Sequence, residues 1–213
     1  MSPVRRGLLV IAMLSAVCGA APRTHTVILG KWQTIAITSD SVEQQTAKMR
    51  TLTIDGGFKE YTVGATHQVS GHLFVVRKVE RLNDALPDDK DRTPRWIWRL
   101  GGWISVDRLT GRVAQLNLPA FDPSVSQVSW YRDYSAYCGT SDDGARLYMV
   151  VAQLGKRKPL LRREYTGTAC GLPQWARGPS RVTFPGVGEK ASFVVHSHGA
   201  EPQPEPAEEE GPE

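Results

Sequence analysis

Two histidines two residues apart, His196 and His198, are the nearest approach to a metal-ligating pair in this chain of 213 residues. Alternation along a strand would put both imidazoles on one face, where a metal takes nitrogen ligands, and His67 and His72 are further donors. There is no His-Glu-x-x-His and no paired cysteine motif to complete such a site. Asp84, Asp88, Asp89 and Asp91 offer hard oxygen ligands of the kind calcium takes. They lack the regular spacing and the glycine of a calcium loop, so a solvated acidic loop is expected. Gly-x-Ser-x-Gly, Ser-x-x-Lys and a reactive cysteine beside a histidine are all missing. A non-catalytic role is therefore expected, with no cofactor; a secreted enzyme or metal-binding protein using His196, His198 or the Asp84 to Asp91 loop is the alternative.

Two clusters point to binding instead. Trp96, Trp98 and Trp103 fall within one short stretch. Such residues fill the core of a β protein, or, when exposed, make platforms for a sugar ring or a protein partner. Lys156, Arg157 and Lys158 would be displayed together by the turn that Gly155 and Pro159 bracket, with Arg162 and Arg163 just beyond. A patch of that kind attracts anionic lipid, acidic polysaccharide or an acidic protein, or simply keeps a neighbouring strand edge from pairing.

The first twenty residues supply the cellular context. Arg5 and Arg6 precede an apolar run from Leu8 to Val17 and the small residues Cys18, Gly19 and Ala20. That is the layout of a secretory signal peptide, too short to cross a bilayer as a helix. Cleavage after Ala20 leaves no transmembrane anchor and two cysteines, Cys138 and Cys170, for which an oxidising compartment allows one internal bond. The bacterial periplasm or the exterior is the expected location, and nucleic acid is not an expected partner there. Two arginines sit in the signal and six glutamates crowd the last thirteen residues, so the body between is more basic than the net charge of +4 conveys.

Apolar residues from Thr26 onward recur mainly at period two and are interrupted by Gly, Asp and Pro turns, which predicts strands and hairpins. Lys31 to Thr38 reads as a strand, and Lys48 to Ile54 returns through Asp55-Gly56-Gly57 into Phe58 to Val63 as a hairpin. Ser39 to Ala47 is the single helix candidate, with Asp40 as its cap and Glu43 three residues on. His72 to Val79, Trp96 to Val106 and Val113 to Leu118 follow as strands. After Asp122-Pro123 the segments Val125 to Trp130, Tyr134 to Gly139, Leu147 to Leu154 and Leu160 to Tyr165 make a meander of four.

Val128-Ser129-Trp130, Tyr137-Cys138, Asp142-Asp143-Gly144 and Leu147-Tyr148-Met149-Val150 resemble a blade of the TolB-type or WD40-like propellers of exported bacterial proteins. Ile104 to Asp107 with Thr110 to Val113 is similar to the last hairpin of another blade. The stretch from Trp130 to Gly139 is also similar to exported bacterial proteins without an assigned activity. The resemblance implies an all-β antiparallel meander, propeller-like, or else a twisted barrel or sandwich, and it brings no catalytic residue with it. One β-rich domain over residues 21–200 is expected, followed by a disordered acidic Pro/Glu tail over 201–213. That tail would compete with an external polyanion for the basic turn. The expected role is binding or scaffolding toward a protein or an anionic envelope polymer.

Overall fold

The computed structural model describes residues 24–38, 45–86, 93–167, 170–178, 180–187, 191–196 and 199–202. The expected signal peptide, Asp88, Asp89, Asp91, His198 and residues 203–213 of the expected tail lie outside them. No helix occurs among the described residues, and every strand pairing is antiparallel.

The first sheet is built from β1 (Val27–Leu29), β2 (Gln33–Ile37), β3 (Gln45–Ile54), β4 (Gly57–Gln68), β5 (Leu73–Asn83), β6 (Trp96–Asp107) and β7 (Arg112–Gln115). Its order is β1-β3-β4-β5-β6-β7, with β2 on β3 as well. Asp55 and Gly56 both adopt positive φ, 51° and 79°. That is the twist a two-residue hairpin turn needs, which explains why Asp-Gly stands there. Residues 45–47 of the expected helix belong instead to β3, where Ala47 faces Ile35 and Gln45 faces Ile37. Cross-strand pairing gives this segment more partners than its thin apolar helical face could. The sheet coils enough that His25 N donates to Arg108 O at 2.7 Å and Thr38 N to Trp98 O at 2.8 Å, but no ladder joins its edges into a barrel. Leu52, Phe74, Val76, Ile104 and Val106 form one core cluster; Ile37, Met49, Val63 and Val79 form another.

The middle sheet is the expected meander: β8 (Ser129–Tyr131), β9 (Tyr134–Thr140), β10 (Leu147–Gln153) and β11 (Leu161–Tyr165), side by side in chain order. β8 is shorter than its apolar sequence predicts, because Val125 is exposed and residues 123–125 turn. The third sheet comprises β12 (Gln174–Ala176), β13 (Arg181–Thr183), β14 (Ser192–His196) and β15 (Gly199–Pro202). β15 extends order into the first two residues of the expected tail, pairing Val194 with Glu201 and Phe193 with Pro202.

Ala136, Met149 and Val151 of the middle sheet meet Val182, Phe184, Phe193 and Val195 of the third, all buried. The Cys138 to Cys170 disulfide joins positions 32 apart in sequence, with a Cα separation of 6.3 Å that lies in the ordinary range. The opposite face of the middle sheet, with Tyr137, Tyr148 and Val150, is covered by the connection from Leu116 to Val128. Gly139 is needed for that cover: a Cβ there would collide with the Ala120 carbonyl oxygen, which accepts Thr140 N at 2.8 Å. Tyr137 Oη donates to Pro119 O at 2.8 Å, and burial raises its pKa far above the usual phenol value.

Candidate ligand-binding crevice between the first and middle sheets

Where the connection leaves β7, it stands off from the middle sheet and leaves a crevice of about 460 Å³. That is within the roughly 300–1,000 Å³ typical of small-ligand sites. Register sets its floor, because Trp130, Ser135 and Ala152 face one another across β8, β9 and β10. Gln115 and Asn117 come from the wall, and Lys156 and Arg157 from the turn after β10.

Gln115, Asn117, Lys156 and Arg157 are exposed, and their side chains make no hydrogen bond or ion pair among the described residues. Buried polar groups normally find partners, yet Trp130 Nε1 and Gln153 Oε1 are buried without one. The Trp130 ring is nonetheless held firmly, edge-on to Trp103 at 5.3 Å and stacked on His67 at 5.9 Å. His67 Nε2 lies 2.7 Å from Arg132 O, which ties β4 to the β8–β9 turn. No carboxylate lines the crevice. Its chemistry is three amides, from Gln115, Asn117 and Gln153, an indole N–H, and two cations.

Arg77 supports the junction from the other side. It donates to Gly101 O at 3.3 Å and to Pro123 O, and its guanidinium lies 5.9 Å from the Phe121 ring. Burial without a carboxylate partner pulls its pKa below the ordinary guanidinium value. A neighbouring hollow of about 440 Å³ is lined by both signs of charge. Its Glu80 is bound to Lys78 at 2.8 Å, and Asp122 Oδ1 accepts Ser124 N at 2.7 Å.

The structure brings together only part of the residues that the sequence singles out. The basic cluster divides: Lys156 and Arg157 rim the crevice, and Lys158 is exposed beside them. Arg162 pairs across β10 with Val150 and stacks 4.2 Å from the Tyr148 ring, whereas Arg163 pairs with Met149 and so points to the opposite face. The three tryptophans do not form one surface either. Trp103 is 9% exposed and packs on Trp130, whereas Trp96 is 53% exposed. Trp98 is half-buried edge-on to Tyr61 at 5.0 Å. An irregularity in the β5–β6 ladder between Arg77 and Val79, where three residues of β6 span two of β5, breaks the simple alternation.

β14 ends at His196, which pairs with Gly199 of β15; His198 lies outside the described residues. Asp84 is engaged by Arg95 at 2.6 Å. Among the described residues no three metal-ligating side chains converge, and no helix is long and apolar enough to cross a membrane. Asp142-Asp143-Gly144 serves the β9–β10 hairpin: Asp143 Oδ1 accepts the Ser141 hydroxyl and Ala145 N, which holds its pKa below the usual carboxylate value. Gln115 and Asn117 carry no motif; their signal is their position beyond β7, which is legible only once the sheets are assembled.

No family model, curated protein or solved structure matches the chain.

Proposed function

We propose that this chain is a non-catalytic exported protein of the bacterial envelope that binds an acidic polysaccharide in the crevice between its first and middle sheets. The observation that carries the reading is the convergence of the exposed Gln115, Asn117, Lys156 and Arg157 with the buried, unpartnered Trp130 Nε1 on one crevice, with no carboxylate among its lining residues. Amide side chains match sugar hydroxyls because both donate and accept. The two cations match a uronate carboxylate, and a recessed site favours a thin polymer over a flat lipid surface or a globular acidic protein. The disulfide and the signal-like leader fit an oxidising exported compartment.

Calorimetric titration of the purified chain with galacturonic acid oligomers tests this. Saturable binding is expected, weakened about tenfold when Lys156 and Arg157 are both replaced by alanine, and weakened further by added salt. Equal binding of the carboxyl-reduced oligomer, or binding confined to anionic vesicles or polyglutamate, would overturn it.

A further inference from the structure

Outside the crevice, one arginine is held ready for an anion. Arg81 faces Trp98 across the β5–β6 ladder, and the next pair on that face is Asn83 with Trp96. Its guanidinium lies 4.7 Å from the Trp96 ring and 5.9 Å from that of Trp98. Arg81 makes no ion pair or hydrogen bond through its side chain among the described residues. The loop beyond it carries Asp84, Asp88, Asp89 and Asp91 against Lys90, Arg92 and Arg95, and Asp84 is already held by Arg95.

Stacking uses the face of a guanidinium and leaves the in-plane N–H donors of its edge available for a carboxylate taken bidentately. Because the tryptophans already fix the arginine, little side-chain entropy remains to be lost when the anion arrives. Trp96, 53% exposed, adds an aromatic surface of the kind sugar rings stack on. A ring and a carboxylate presented side by side are the two features of a uronic acid residue.

Register places this cluster on the same side of the first sheet as the crevice. Arg77, Val79 and Arg81 share one face of β5, and their partners Trp103, Leu100 and Trp98 share it across the ladder. Trp103 touches Trp130 of the crevice floor. The five residues from Trp98 to Trp103 correspond to about 15 Å of strand.

We propose that Trp96, Arg81 and Trp98 form a second subsite for the same acidic polysaccharide, binding a uronic acid unit remote from the one in the crevice. This rests on the crevice reading for the identity of the polymer, but on different residues. Two linked weak sites give a chain-length dependence that neither has alone.

The test is titration of the full chain with galacturonic acid dimer and decamer. The decamer should bind the unaltered protein at least about tenfold tighter than the dimer, and Arg81→Gln or Trp96→Ala should each reduce that ratio below about threefold. Both side chains are exposed, and thermal melting confirms that the variants fold. If both variants keep the full ratio while the Lys156→Ala, Arg157→Ala pair weakens both oligomers, the second subsite is wrong and the crevice stands. If the alanine pair changes nothing while Arg81→Gln weakens binding, the crevice reading fails and the Arg81 site stands. Failure of the unaltered chain to bind either oligomer overturns both.

Discussion

Alternate residues of β9 and β10 point to opposite sides of the middle sheet, and the two sides are closed in different ways. Toward the third sheet, Ala136, Met149 and Val151 meet a second set of apolar strands, and a disulfide ties the two layers. Toward the first sheet, Tyr137, Tyr148 and Val150 are covered by an irregular connection whose near end pulls away and leaves polar groups without partners. The third sheet has its own orphan in Arg181 Nε, but its contact with the middle sheet is made by apolar side chains, whereas the first-sheet side leaves Trp130 Nε1 buried in an open crevice. Apolar layers supply stability whatever their exact contents, whereas unpartnered buried donors cost stability. The difference places the apolar contacts on one face and the proposed ligand site on the other.

The largest effect should come from the third-sheet face. Phe193→Ala removes a buried ring that meets Phe184 at 6.1 Å between centroids, and urea denaturation should register a loss of about 3–5 kcal/mol. Affinity for a galacturonic acid oligomer, measured on the fraction that remains folded, should change less than about twofold if the faces are independent; a parallel loss of affinity would break the comparison.

Removing the disulfide probes the same face more gently. Replacing Cys138 and Cys170 together by alanine releases a crosslink spanning 32 residues, for which the chain-entropy model gives about 3–4 kcal/mol. Urea midpoints should fall accordingly, with oligomer affinity again retained. A midpoint that does not move would mean that the third sheet is held by its apolar contacts alone.

This division also explains which features were legible in the sequence. Turn chemistry and period-two patterning located the Asp55-Gly56 hairpin and the four strands from 129 to 165, because both signals are local. The third sheet was missed except near His196, since strands as short as Gln174–Ala176 and Arg181–Thr183 carry too few residues to display a period. Of the expected helix over Ser39 to Ala47, residues 45–47 pair with β2 as a strand, while its capping residues lie outside the described residues. The tryptophans looked like one group because they are close in sequence, yet Trp103 is buried against Trp130 while Trp96 is exposed, and it is the ladder irregularity that puts Trp103 and Trp98 on one face. The crevice was the least legible feature. Gln115 and Trp130 lie on different sheets, and no local signal reports that a connection will bring them together.

The smallest stability effect, and the sharpest functional one, is expected at Trp130. Phenylalanine there keeps an aromatic ring against Trp103 and His67 but removes the indole N–H that is buried without an acceptor. Losing an orphan donor relieves a desolvation cost, while the smaller ring gives up some packing, so thermal stability should stay within about 1 kcal/mol. If a sugar hydroxyl accepts from that N–H in the complex, oligomer affinity should fall about five- to tenfold, the value of one hydrogen bond. A substitution that leaves stability unchanged and weakens binding identifies the donor as held for a ligand. Unchanged affinity in Trp130→Phe would instead make the orphan N–H a packing defect and return the first-sheet face to a purely structural role.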